Sequence, residues 1–453
     1  MLFAATLLLG LCGANAVNFT TVYEWDKFDF LWPPEADTSI GQIKQNFTPD
    51  NVEFRYMAVY GERLFLSLDT DPGIPTSLVW LPTNGTSTAP PKLAPFPSLD
   101  LHKKDICDNI QAAGGLETDT DGRLWVLDDG SDKCPGKLWI FNLLKNDQTE
   151  RVHQFPDTVV SHFYLGRSLS DLVLDKTTDD LLAYITDARS EQIVVYSRKM
   201  DKSWSVKTPS EGRWFSLALS PNREARHELY LRRAGSNELY SVSVSELKNE
   251  GGSAAVKFIG QWTGKPYKML IDGANVLYAA SWGQDYLSKW IISQPFREQR
   301  FYEVGELGAY WPFTFALDAN GNLWMTELNV NGGGNRHKLL KAAVGARSNS
   351  FSKFTATKFL DETSEQEITG SSLDSESTPP GETQSPLGVL FNSLWKSRIL
   401  GKTLPHPQRS ISLPFLILLQ TFHCLADPAD DGKNSNLFPA CGNVRFPGQQ
   451  TFF

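Results

Sequence analysis

Several absences narrow this chain before any motif does. It has 5 cysteines in 453 residues and no C-x-x-C pair, so a zinc ribbon or a dithiol redox site has nothing to rest on. Its formal net charge is −9, and no Lys/Arg cluster marks a phosphate-binding face, so nucleic acid is not an expected partner. No apolar run approaches the ~20 residues that a membrane helix needs, and Leu413–Phe422 falls far short, so no membrane partner is expected. There is no G-x-S-x-G, H-E-x-x-H or H-x-H, so neither a nucleophile elbow nor a metalloprotease helix is present. Gly332-Gly333-Gly334 lacks the Lys-Ser/Thr of a phosphate loop and reads as a bend. Amphipathic helices longer than two turns are missing from residues 20–360.

The N-terminus has a compartment signal. Leu2–Leu11 is nearly all apolar and Ala14-Asn15-Ala16 is a small-x-small site, so residues 1–16 read as a signal peptide and the protein as secreted. Sequons at Asn18, Asn46 and Asn84 are the expected glycosylation sites. Cys12 would leave with the leader, and Cys107, Cys134, Cys424 and Cys441 allow three connectivities. Cys107 with Cys134, closing a short loop around one strand, is the favoured pair.

One element recurs: a turn residue, then Leu with an aromatic or apolar partner, then a β-rich run. It reads G-E-R-L-F-L-S-L from Gly61, D-G-R-L-W-V-L-D from Asp121 and D-D-L-L-A-Y-I-T from Asp179. It returns as H-E-L-Y-L from His227, A-N-V-L-Y-A-A from Ala274 and N-G-N-L-W-M-T from Asn320. The anchors Leu64, Leu124, Leu181, Leu229, Leu277 and Leu323 lie 60, 57, 48, 48 and 46 residues apart. A period near 50 filled with strand-like runs predicts radially repeated four-stranded sheets. Six copies predict an all-β, six-bladed β-propeller over residues 17–360, with a segment near Val22–Trp25 closing the last blade. Residues 361–453 turn rich in Ser, Thr, Glu, Gly and Pro and are expected to form a disordered tail.

The stretch D-T-D-G-R-L-W-V-L-D-D-G from Asp119 with C-P-G-K-L-W-I-F-N-L from Cys134 resembles the yellow / major royal jelly protein family. So do P-G-I-P-T-S-L-V-W-L-P from Pro72, L-L-A-Y-I-T-D-A from Leu181 and W-P-F-T-F-A-L-D-A-N-G-N-L-W-M-T from Trp311. The resemblance covers residues 20–350 in order. It implies a second disulfide that this chain lacks at both ends, at Asp121 and within Thr177–Asp180. A family C-W-N motif survives only as Trp290, within Ser288-Lys289-Trp290-Ile291.

The acidic loop Glu117-x-Asp119-x-Asp121-Gly122, with Asp128 at its twelfth position, partly fits a calcium loop, but Gly122 leads into a strand. A plain hairpin turn is expected, with no metal and no cofactor. Asp128 and Asp187 end strands that could face a channel, where other six-bladed propellers hold a catalytic metal. The default ligand pocket of a propeller is the mouth of its channel. Some relatives bind biogenic amines there, and others act in melanin formation or as nutritional and structural secretions. The resemblance therefore implies a small aromatic ligand, amine- or catechol-like, and a link to cuticle pigmentation. Blade six would supply Thr314 and Asn329 as polar contacts, close together at the mouth, and Trp311 and Phe313 as walls. The alternatives are a dopachrome-converting, isomerase-type enzyme and a ligand-free structural or storage secretion. A Ser/His/Asp assembly from distant loops stays open at this stage.

Overall fold

In a computed structural model, the described residues are 17–33, 38–85, 89–209, 212–221, 227–303, 310–329 and 337–347. The proposed leader, the tail, Cys424 and Cys441 lie outside them. The described chain forms six four-stranded antiparallel sheets, the six blades of a propeller. The innermost strands of blades one to six are Phe54–Tyr60, Ala113–Thr118, Leu169–Lys176, Trp214–Leu219, Lys265–Ile271 and Tyr310–Leu317. They run in the same direction around a central channel, each packed against the next, and the sixth meets the first.

The repeated Leu–aromatic pair has a physical cause. It lies on the second strand of every blade, where successive side chains point to opposite faces. Leu64, Leu124, Leu229, Leu277 and Leu323 are fully buried against the preceding blade, and Leu181 is partly buried in the same direction. The next residue, Phe65, Trp125, Leu182, Tyr230, Tyr278 or Trp324, fills the interface with the following blade. One dipeptide therefore seals both sides of its blade.

The acidic turns stabilise these hairpins. Asp119 Oδ1 accepts the N–H groups of Asp121 and Arg123, while its Oδ2 accepts Trp125 Nε1 at 3.0 Å. Asp318 treats Asn320, Asn322 and Trp324 in the same way, and Asp272 treats Ala274, Val276 and the Tyr278 hydroxyl. Gly122 and Gly321 take the left-handed turn position at φ +80° and +79°. Asp119 is thus committed to its own turn. The described residues contain no group of three or more His, Cys, Asp or Glu placed to hold a metal.

Closure joins the two ends of the ring. Thr20–Trp25 pairs with His337–Ala343 as the outer strand of blade six, two residues longer at its start than expected. Cys107 and Cys134 are bonded, with Cα atoms 5.1 Å apart. The bond encloses a whole hairpin, Ala113–Thr118 with Arg123–Asp128, rather than one strand. Arg167 clamps the same loops, donating to the carbonyls of Asp129, Ser131, Cys134 and His162. Where the family resemblance implies a second bridge, Lys176 joins the two turns through Thr120 Oγ1 at 2.8 Å and Asp121 at 3.5 Å. Trp290 is a packing residue, 4% exposed and edge-on to Tyr230.

Opening the Cys107–Cys134 loop, whose ends are 27 residues apart in sequence, should cost about 3.5 kcal/mol by the chain-entropy argument. Thermal melts with and without a phosphine reductant should therefore separate by several degrees. Coincident melts would mean that Arg167 and the loop hydrogen bonds alone fix this corner.

Candidate functional site

The channel has two distinct halves. The C-terminal ends of the inner strands surround a cavity of about 50 Å³, lined by Met57, Val59, Thr118, Val173, Leu219, Ile271 and Leu317 among others. Most of its lining side chains are apolar, with Glu117 and Lys268 as the charged members, and polar atoms make up about half of its surface.

The N-terminal halves of the same strands build something different. Four rings from four blades converge there: Tyr56, Phe215, Tyr267 and Phe313. Tyr267 stacks on Phe313 with centroids 4.6 Å apart and 23° between planes. Tyr56 lies 5.5 Å from Tyr267, and Phe215 meets Tyr267 edge-on at 5.6 Å. Offset and edge contacts of this kind suit aromatic quadrupoles, and a flat ligand would find the same surfaces.

Three cations stand among these rings. Lys268 Nζ bonds Asp171 Oδ1 at 2.7 Å, from blade five to blade three across the channel, and lies over the Tyr56 ring. Both partners are buried, and burial holds the Asp171 carboxyl above its ordinary range while Lys268 opposes the shift. Gly115 lets the neighbouring strand approach: a Cβ there would sit 2.9 Å from Leu172 N and 3.0 Å from Asp171 Cα. Arg55 donates from Nε to the Tyr267 hydroxyl at 3.2 Å and pairs with Asp69 at 3.6 Å, its side chain still 41% exposed. Arg232 is 5% exposed, lies over the Phe215 ring at 4.5 Å, and donates from Nη1 to the carbonyls of Arg233 and Ser236. Burial pushes its guanidinium down to about 10, so it stays charged near neutral pH. Burial likewise pushes the Tyr56 hydroxyl well up, so it stays protonated.

The expected ligand residues fall unevenly on this frame. Phe313 is a member of the aromatic group. Thr314 is fully buried, and its hydroxyl has no hydrogen-bond partner. Asn329 is 7% exposed and pairs with Tyr310 at the outer end of blade six. Thr314 lies opposite Thr326, three residues from Asn329, so strand rise separates them by roughly 10 Å. Trp311 is placed by its backbone opposite Leu328. Arg55, Tyr56, Asp171, Phe215, Arg232, Tyr267 and Lys268 had not been singled out. For Arg55, Asp171 and Lys268 the sequence signal is a charge inside an otherwise apolar inner strand, as in F-R-Y-M-A-V-Y, L-S-D-L-V-L-D and K-P-Y-K-M-L-I, whereas Arg232 lies on a second strand and the rings carry no such signal.

Two Ser–His–Asp chains do form. Ser203 Oγ meets His153 Nε2 at 2.9 Å, with Asp201 3.3 Å from Nδ1, and Ser220 Oγ meets His227 Nδ1 at 3.4 Å, with Asp175 3.2 Å from Nε2. The serines are 5% and 1% exposed, and Ser220 already accepts the Glu228 N–H, so neither is set as a nucleophile. Asp128 and Asp187 are also spent. Asp128 accepts the N–H groups of Gln111, Ala112 and Gly130 and Trp139 Nε1, and Asp187 accepts those of Ser168 and Arg189.

Among the described residues, no helix is long and apolar enough to cross a membrane. A family model described as "Major royal jelly protein" matches residues 111–211 and 209–329. "Protein yellow" of Drosophila yakuba is 26% identical over 352 residues, covering 67% of this chain and 63% of the relative. Its Drosophila melanogaster counterpart matches to the same extent. The chain thus spans less than two thirds of the length of these relatives. Similar solved structures include a luciferin-regenerating enzyme, with TM-score 0.44 and 11% identity over 67% of this chain and 94% of that one. A gluconolactonase from Xanthomonas campestris gives TM-score 0.43 and 13% identity over 65% and 86%.

Proposed function

The chain belongs to the yellow / major royal jelly protein family, and from that premise we propose that it is a secreted protein holding a small aromatic molecule in the upper half of its channel, the half built by the N-terminal halves of the inner strands. The observation that carries this reading is the convergence of Tyr56, Phe215, Tyr267 and Phe313 from four blades, beside buried polar groups that remain unpaired. Thr314 and Asn329 stay in the proposed site as polar contacts, with Phe313 and Trp311 as walls. The Cys107–Cys134 bond supports an oxidising, extracellular setting. Asn18, Asn46 and Asn84 are all exposed, as glycan acceptors must be. A role in cuticle pigmentation accords with the name of the yellow relatives.

Calorimetry with catechol- and indole-based ligands tests the site. Tyr267→Ala and Phe313→Ala should each weaken binding about tenfold, since each removes ring contact worth about 0.5–1.5 kcal/mol beyond its buried area. Asn249→Ala, remote from the channel, serves as the reference. Equal affinities in all three variants would place the ligand elsewhere. Accelerated loss of dopachrome colour would favour the enzyme alternative over simple binding.

A further inference from the structure

We propose that the upper well selects aromatic ligands that carry a carboxylate, with Arg232 as the anchor for that group and Arg55 at the rim. This rests on the well being an aromatic-ligand site and adds the charge of its occupant. The family resemblance implied an amine, and the walls favour the opposite sign.

The ion pairs around the well leave one cation without a partner. Lys268 is neutralised by Asp171, whose carboxylate also accepts the Leu172 N–H. Arg55 has Asp69 beside it, 30% exposed, with Asp71 further out on the surface. Arg232 has no carboxylate partner among the described residues. Its Nη1 is satisfied by two carbonyls, its Nε is buried without a hydrogen-bond partner, and no hydrogen bond engages its Nη2. A guanidinium left this way is costly, because a buried charge requires a counter-charge and buried donors require acceptors. The Nε–Nη2 edge is the fork that a carboxylate fills with two parallel hydrogen bonds.

The ring surfaces lie next to this guanidinium. Arg232 lies on Phe215, Phe215 meets Tyr267, and Tyr267 stacks on Phe313. A ligand whose acid hangs from its ring by a short arm can reach the guanidinium while its ring contacts these three. An ammonium in the same place would face Arg232, Arg55 and Lys268, and none of the described residues near these rings offers it an unpaired carboxylate.

Two matched ligand sets on the full-length protein test the proposal by calorimetry at low and at physiological salt. The first is 3,4-dihydroxyphenylacetate, 4-methylcatechol and dopamine, and the second is 5-hydroxyindole-3-acetate, 5-hydroxyindole and serotonin. In each set the acid should bind about tenfold or more tightly than the neutral ring, and the amine most weakly. Arg232→Gln should bring the acid down to the neutral ring's affinity and leave the neutral ring unchanged. Because Arg232 also braces its own turn, Arg55→Gln is the second variant and should reduce the preference in part without loss of folding. An amine that binds as well as the acid, or an acid preference that survives both substitutions, overturns the proposal. Equal binding of acid and neutral ring overturns it too, while leaving the aromatic site standing. If no member of either set binds, the aromatic-site reading fails and takes this inference with it.

Discussion

Lys268→Met should lower the melting temperature by many degrees, and Lys268→Met combined with Asp171→Leu should recover a large part of the loss. Lys268 and Asp171 are 4% and 0% exposed and bond at 2.7 Å across the channel. Removing one partner of such a pair leaves the other as an uncompensated buried charge, at a cost of about 3–5 kcal/mol. Replacing both with apolar groups removes the uncompensated charge together with the bond. The single variant should also acquire a distinctive pH dependence. Burial already holds the Asp171 carboxyl above its ordinary range, and without Lys268 only the Leu172 and Leu217 N–H groups oppose that shift. A carboxyl whose folded pKa exceeds its unfolded value makes the protein less stable as pH rises through the folded pKa. Stability returns as pH falls below it. The deficit of Lys268→Met should therefore be larger at pH 8 than at pH 5. Calorimetric melts at the two pH values decide the matter, and a deficit independent of pH would mean that the carboxyl finds other relief.

Removing Thr20–Trp25 should abolish the monomeric ring altogether. This strand covers the outer edge of blade six from Thr20 opposite Lys341 to Trp25 opposite His337. Its aromatic side chains grip blade one as well: the Tyr23 hydroxyl donates to Pro82 O and Trp25 Nε1 to Pro91 O. Both rings lie in the core shared with Val59, Leu66 and Trp324. Without the strand, His337–Ala343 becomes an open edge, and such an edge seeks another chain. Light scattering after size exclusion should show aggregates, and a hydrophobic dye should bind strongly. A milder variant, Trp25→Ala, should stay folded and lose about 3–5 kcal/mol. A monomeric truncated chain with an unchanged melt would show that the ring does not depend on this seam.

The architecture was readable because one requirement is met six times. Every blade needs a residue for each neighbour, and the cheapest solution, Leu followed by a large apolar side chain, leaves a visible period. The same holds for D-x-x-G-x-L-W, where one Asp caps the turn and receives the indole N–H. The site left no period. Arg55, Asp171, Arg232 and Lys268 come from blades one, three, four and five, and only the closure of the ring brings them together. Phe313 was legible because it belongs to a recognisable stretch. Its stacking partner Tyr267 was not, because Lys265–Ile271 reads locally as an ordinary strand.

The seam also sets the order of events during biosynthesis. Thr20 is joined to Lys341 across 321 residues, so the first strand to leave the ribosome waits for the last. At about 5–20 residues per second that wait is roughly 15–60 s. Throughout it, the Tyr23 and Trp25 rings and an unpaired edge are held by a nascent chain that has no partner for them. The ring is therefore completed only after translation has passed its final blade, and it is the beginning of the chain, not its end, that stays exposed longest.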